Sequence, residues 1–392
     1  MGCVNVSDVA GGFVILKKKL LFIVNVDWFF LSHRLPIAIE AQNQGYEVHI
    51  AVSVTDKLES LESHGFIVHP LTLDRSSTGL MGGVKTFIEI FQILRDIRPH
   101  IVHLVTIKPV LLGGIATRLS GVPAMVAAIP GLGTLFISNN SRISVLRYFV
   151  QKLYSFALGH SNSVIIVQNS DDKSILLDMQ AIKSEQVRLI RGSGVDLKDY
   201  SIELEPAGTA VITMAARLLR DKGVYEFVEA ARLINARGID AEFRLIGDID
   251  PGNPTTITEA ELQQWRQEGC VKILGFRDDI ARQYAQSNIV CLPSYYREGL
   301  PKCLVEAAAC GRAVVTTDMP GCRDAIEPDK TGLLVPPRDA AALADAIQRL
   351  IENPELRYKM GEEGRKLAEQ EFAIEKIVNE HLIIYKELEM AV

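Results

Sequence analysis

The sequence predicts an α/β protein made of two doubly wound parallel sheets that face each other across a cleft, and three observations lead there. Apolar runs of strand length alternate with helical patterns from Leu20 onward, the order that a parallel sheet covered on both faces requires. The alternation pauses over 196–210, a polar stretch with Pro206 and Gly208, and then restarts, as it would across a linker between domains. The 392 residues, 48% of them hydrophobic, are enough for two cores of ordinary size.

Taken in order, residues 1–18 read as a loose extension. LLFIVNV is the first strand, a helix near 33–44 stops at Gly45, and YEVHIAV, the helical TDKLESLESHG and FIVHPL follow. DRSSTGLMGG is a loop before a long amphipathic helix that ends at Arg98, and PHIVHLVT, VPAMVAAI, SVIIVQN and QVRLIRG supply the later strands. After the linker, AVITMAA, EFRLIG, VKILGF, NIVCLP, AVVTTD and GLLVPP repeat the pattern, and two helical segments close the chain, the second from about Ala373 to Glu389. The expected units are 1–197, 198–372 and a terminal helix over 373–392. Sheets of this kind bind ligands beyond the carboxyl ends of their strands, at the switch point, so two facing sheets suit a two-substrate enzyme.

Composition narrows the class further. The six cysteines form no CxxC pair, which favours reduced core thiols in a cytoplasmic protein over disulfides or zinc. The one membrane-like stretch, 13–31, is interrupted by Lys17, Lys18 and Lys19, which leaves too few apolar residues to span a bilayer and makes a poor signal peptide. Charge is uneven. Residues 1–200 hold 19 Lys and Arg against 16 Asp and Glu, and 201–392 hold 23 against 32. Positions 75–170 carry nine cations (Arg75, Lys85, Arg95, Arg98, Lys108, Arg118, Arg142, Arg147, Lys152) and two anions, a bias toward an anionic partner. A solvated surface explains it as well, and aromatics are too sparse to argue for nucleic acid. The cationic, aromatic segment 142–159 either packs on its sheet or touches a membrane surface.

The chemistry concentrates where NIVCLP runs into SYYREGLPKCLVEAAACG. Pro301 fits a helix start, Gly311 a helix end, and Gly299 a close backbone approach. The free amides over Leu300 to Cys303 and the positive end of the dipole make an anion site suited to phosphate. Glu306 lies on an almost wholly apolar helix, so it needs a partner or a ligand. Taken alone, the stretch also fits an ion pair of Glu306 with Lys302 and a solvated Glu298. Beyond AVITMAA, Arg217 and Lys222 stand beside another helix start, where they would clamp a diphosphate or form a solvated turn. In the first half, His33, Arg34 and Lys108 can face the cleft or serve as caps and surface charges. Gly131 and Gly133 let a loop fold close to substrate, and His103 reads as a core histidine.

EGLPKCLVE resembles the E-x7-E signature of the retaining glycosyltransferases of family 4, which have the two-domain GT-B fold. VDWFFLSHR, IKP, PGLGTLF, QNSDDKS and GSGVD are similar to a branch acting on bacterial lipid-linked oligosaccharide, O-antigen or capsule, so the likeness spans nearly the whole chain. It implies that Glu298 sits by the donor sugar, that Glu306 holds the ribose, and that Arg217 and Lys222 bind the diphosphate. It further implies a nucleobase site at Gly247, Phe276 and Arg277, and a donor loop of Gly299, Leu300, Pro301 and Lys302. The acceptor side would comprise His33, Arg34, Lys108, Gly131 and Gly133. The last helix would cross back to the first domain. No cofactor and no metal are implied, so the D-x-D at Asp248 and Asp250 is expected to be a decoy. The expected partners are a nucleotide diphosphate sugar, with UDP favoured, and a polyprenyl-diphosphate-linked glycan at the inner face of the cytoplasmic membrane. A UDP-sugar 2-epimerase or a non-catalytic nucleotide-sugar-binding subunit are the alternatives.

Overall fold

The computed structural model describes residues 17–73, 80–132 and 143–391. The first sheet is all parallel: β1 (Lys19–Val26), β2 (Glu47–Ser53), β3 (Ile67–Pro70), β4 (Ile101–Val105), β5 (Ala124–Ile129), β6 (Ser163–Val167) and β7 (Val187–Leu189), in the order β3-β2-β1-β4-β5-β6-β7. The second is also parallel: β8 (Ala210–Ala215), β9 (Ala241–Ile246), β10 (Lys272–Gly275), β11 (Ile289–Leu292), β12 (Ala313–Thr317) and β13 (Gly332–Val335), in the order β10-β9-β8-β11-β12-β13. Strand order therefore reverses between β1 and β4, with Leu20 beside Ile101, and between β8 and β11, with Ile289 beside Ile212. Helices cover both faces, so β4, β5 and β6 are buried along their whole length and read as unbroken apolar runs rather than alternating ones. Apolar clusters lie on each face of the first sheet, and a third fills the second domain.

One element begins earlier than its pattern predicts. The first helix spans Asp27–His33 and a second spans Leu35–Asn43, so His33 closes a helix and Arg34 sits at the joint instead of opening helix one. Asp27 is the cause. Its buried carboxylate accepts hydrogen bonds from the Thr55 amide (2.6 Å) and hydroxyl (2.7 Å) and from the Trp28 amide (2.8 Å). Burial pushes its pKa up, but these bonds outweigh burial and hold it below the usual carboxylate value.

The closing helix, Ile374–Met390, buries Ile377, Leu382, Tyr385 and Leu388 in the first domain's core. Tyr385 Oη lies 2.6 Å from Nδ1 of buried His103, while His103 Nε2 has no hydrogen-bond partner among the described residues. Where the chain passes between domains its two crossings pair: the Val195 amide donates to the Phe372 carbonyl (2.9 Å), and the Ile374 amide to the Val195 carbonyl (3.0 Å). The linker is fastened as well. Buried Glu205 accepts from Arg357 Nε (2.7 Å) and Asn288 Nδ2 (3.0 Å), and the Glu203 carbonyl from Arg312 (2.9 Å).

Among the described residues no helix is long and apolar enough to cross a membrane, and Cys270, Cys291, Cys303, Cys310 and Cys322 are free thiols. Cys3, Arg75, Gly133 and Arg142 lie outside the described residues, as does the Arg147 side chain.

Removing Arg357 would leave Glu205 buried without its cation. Arg357→Ala should therefore cost about 3–5 kcal/mol in urea-induced unfolding; a loss no greater than an exposed ion pair gives, about 1 kcal/mol, would show that Glu205 gains water or a proton instead.

Candidate active site

The carboxyl ends of both sheets open onto one cavity of about 620 Å³. From the first domain it is lined by His33, Arg34, Lys108 and Gly131, and from the second by Arg217, Lys222, Glu298, Gly299, Leu300, Pro301 and Lys302. A second cavity of about 400 Å³ adjoins it through Trp28, Ala215, Ala216, Arg217 and Cys303. Gly247, Asp248, Asp250, Phe276, Arg277 and Glu306 line this one. Every described residue of the expected site thus reaches one of the two cavities.

Glu298 is the best-held carboxylate. It leaves β11 on the loop after Ser294, whose Oγ lies 2.9 Å from Glu298 Oε1, and Lys222 Nζ lies 2.5 Å from the same oxygen. Lys222 is delivered by the short turn Arg220–Lys222, closed by Gly223 at φ +81° against the Pro293 carbonyl. Burial works to lower the Lys222 pKa, but the Glu298 charge and hydrogen bond outweigh it and raise the value. Glu298 is accordingly buried and paired, not solvated.

Arg217 donates to Asp250 Oδ2 at 2.8 Å. The second aspartate of the D-x-D is therefore the counter-ion of Arg217, and among the described residues no three His, Cys, Asp or Glu side chains assemble into a metal-binding group.

Glu306 sits inside the helix Lys302–Ala309 with Lys302 Nζ at 3.6 Å. Its shorter contact is one the sequence did not reveal: Tyr200 Oη, from the linker, donates to Oε1 at 2.6 Å. Burial raises the Glu306 pKa despite Lys302 and this hydroxyl.

The expected anion site at the helix start is smaller than its sequence suggested. The Leu300 amide is already taken by Gln168 Oε1 (3.0 Å) and Pro301 has no N–H, so the first-turn amides of Lys302 and Cys303 remain, without intrahelical acceptors. On the acceptor side, the His33 ring stacks on Phe29 at 4.1 Å. Burial, with Arg34 and Lys302 nearby, pushes its pKa down to about 3, which keeps it neutral. Arg34 is buried and its Nη1 donates to the His33 carbonyl, with burial lowering its pKa to about 10. In the adjoining cavity Phe276 is 73% exposed, and Arg277 is engaged by Asp279 through two bonds of 2.8 Å. Gly247 has φ +135°, and a Cβ there would collide with the Ala216 carbonyl, so both its conformation and its close approach call for glycine.

Two family models match the chain: "Glycosyl transferases group 1" over residues 198–367 and "Glycosyl transferase 4-like" over 19–169. The chain is 26% identical over 366 residues to the N,N'-diacetylbacillosaminyl-diphospho-undecaprenol alpha-1,3-N-acetylgalactosaminyltransferase of Campylobacter jejuni, covering 87% of this chain and 93% of that one. It is 24% identical over 287 residues to the UDP-Gal:alpha-D-GlcNAc-diphosphoundecaprenol alpha-1,3-galactosyltransferase of Escherichia coli, covering 70% and 72%. Among solved structures, a glycosyltransferase from Rickettsia africae superposes with a TM-score of 0.76 at 20% identity, over 95% of this chain and 99% of that one. The fold is that of the GT-B glycosyltransferases.

The buried Glu306 supplies a pH test. A carboxyl group whose folded pKa lies above its ordinary value of 4.5 adds stability in its protonated form below that value, and the contribution is lost as pH rises through the folded pKa. Glu306→Gln should therefore gain stability relative to the native chain as pH rises from 4.5 toward neutrality, read from thermal unfolding. A mutant whose stability offset is the same at every pH would rule out the raised pKa.

Proposed function

Because the chain belongs to the glycosyltransferases, with a 4-like first domain and a group 1 second domain, we propose that it transfers a hexose or N-acetylhexosamine from a UDP-sugar to a polyprenyl-diphosphate-linked glycan, retaining anomeric configuration and without a metal. The single observation that carries this reading is the convergence of Arg217, Lys222, Glu298 and a helix start on one cavity shared by both domains.

Breaking the sugar–phosphate bond leaves negative charge on the β-phosphate and an oxocarbenium-like sugar. Stabilisation works best where donors already point at the site of growing charge. Lys222, held protonated beside Glu298, and Arg217, which must exchange Asp250 for phosphate, fill that role together with the amides of Lys302 and Cys303. Glu298 faces the sugar and Glu306 the ribose hydroxyls, while Gly247, Phe276 and Arg277 frame the base. Residues 198–372 are the donor domain, and 1–197 with the terminal helix the acceptor domain, where His33, Arg34, Lys108 and Gly131 face the incoming glycan. Same-face attack assisted by the leaving phosphate is the course this reading expects.

Both relatives named above act, by their names, on diphospho-undecaprenol substrates, and the second uses UDP-Gal. Those names support the acceptor class and the nucleotide, and they disfavour the epimerase and the non-catalytic subunit. An acceptor on a lipid carrier also gives the cationic 75–170 region a purpose, since each cation near an anionic bilayer adds about 1 kcal/mol of attraction. The test is a panel of nucleotide sugars scored by thermal stabilisation, because a ligand that binds only the folded state raises stability by mass action, followed by transfer to a polyprenyl-diphosphate-linked sugar.

With the donor so chosen, Arg217→Ala and Lys222→Ala should each lower kcat by about 10²- to 10³-fold, roughly 2.7–4 kcal/mol. Asp250→Asn should be mild and turnover should survive EDTA. Normal turnover in both cation variants, or activity lost to EDTA and restored by Mn²⁺, would contradict the clamp.

A further inference from the structure

The loop that carries Glu298 belongs to the second domain, yet much of what holds its backbone comes from the first. Asn169 Nδ2 lies 3.1 Å from the Glu298 carbonyl and 3.2 Å from the Gly299 carbonyl. Gln168 Oε1 accepts from the Leu300 amide at 3.0 Å. Asp172 Oδ1 lies 3.4 Å from Arg297 Nη2, and its Oδ2 accepts from Asn169 at 3.0 Å and from the Leu132 amide at 3.3 Å. All three side chains are buried, at 6%, 1% and 0% exposure for Gln168, Asn169 and Asp172. None of them was assigned a role by the sequence, and QNSDD entered it only as a point of likeness.

We propose that Gln168, Asn169 and Asp172 are positioning residues: a latch on the first domain that sets where Glu298 and the donor loop stand, so that the donor site is complete only when the acceptor domain is docked on it. This rests on the reading of Glu298 as the residue beside the donor sugar. The reasoning is geometric. Four consecutive residues, 297–300, each give at least one polar group to the latch, whereas the Glu298 carboxylate is held from its own domain by Lys222 and Ser294. Loss of the latch leaves those side-chain bonds and frees the backbone that aims them. A misplacement of about 1 Å can lower turnover by about 10²-fold. The nucleotide end, held on β8, β9 and the Lys302–Ala309 helix, is not touched.

Asn169 also caps its own helix, its Oδ1 accepting from the Asp172 amide at 2.8 Å. Asn169→Ser keeps a capping oxygen and loses the reach to the loop, Gln168→Met keeps volume and loses the acceptor, and Gln168→Glu keeps the acceptor. The full-length protein is assayed for transfer from a saturating mixture of UDP-glucose, UDP-galactose and their N-acetyl forms, for UDP binding by calorimetry, and for thermal midpoint, with Glu298→Gln alongside. Asn169→Ser and Gln168→Met should lose about 10- to 100-fold in turnover at near-native UDP affinity and midpoint, and Gln168→Glu should keep most of its activity. The latch is overturned by native turnover in both while Glu298→Gln is inactive, or by turnover, UDP affinity and midpoint falling together. Native turnover in Glu298→Gln would remove the reading on which the latch rests, and the latch with it.

Discussion

The structure depends on a backbone-to-backbone contact between its two halves. Gly299 lies so close to the Pro130 carbonyl and to Gln168 Oε1 that a Cβ would overlap both. Gly131, at φ +135°, would bring a Cβ to 2.9 Å from the Gly299 amide, and Gly321 on the second domain presses the loop from its other side. Three glycines thus let one loop be gripped by two domains, since no other residue allows backbone to meet backbone at that range. The Glu298 carboxylate, and with it the pairing to Lys222, hangs from that loop.

Charge in the cleft is arranged in pairs around it. Lys222 is satisfied by Glu298, Arg217 by Asp250, and Lys302 divides its ammonium between Glu306 at 3.6 Å and the Ser32 carbonyl at 3.2 Å. A buried cation without a partner is costly, so the protein keeps these cations folded-in by lending them carboxylates. The pairs differ in how readily they yield. Arg217 and Asp250 are 44% and 22% exposed and water can replace either partner, whereas Lys222 and Glu298 are 16% and 11% exposed. On the proposed reading a diphosphate would displace Asp250 from Arg217 far more easily than it would separate Lys222 from Glu298, and the second pair is better viewed as one bridging unit.

What the chain made legible follows from distance along it. Parallel strands buried on both faces appear as apolar runs, so β1, β4, β5 and β6 and the restart at β8 could be placed without coordinates. Gly299, Gly311 and the Glu298–Glu306 spacing are local too. The rest is non-local. The Asp27 carboxylate at the start of the first helix is held by Thr55, 28 residues on. The Leu300 amide is lost to ligand because Gln168, 132 residues back, takes it. Tyr200 lay in a stretch whose polarity and Pro-Gly content read as linker, and only an aromatic side chain in that polar run hinted that one end was packed.

The same non-locality bears on how the two halves could move. Val195 pairs with Phe372 and Ile374, so the two crossings act as a single strap, with Gly192 and Gly194 both at φ +80° beside it. A Cβ at Gly194 would strike Ile374 and one at Gly192 would touch Leu300, which ties the strap both to the terminal helix and to the donor loop. Gln168 and Asn169 of the first domain bond the same loop that Gly192 approaches. The 196–210 segment, by contrast, is fastened to the second domain through Glu205, Arg357 and Arg312. The strap and the proposed latch thus meet at the loop that carries Glu298, which is where the placement of the first domain would be felt.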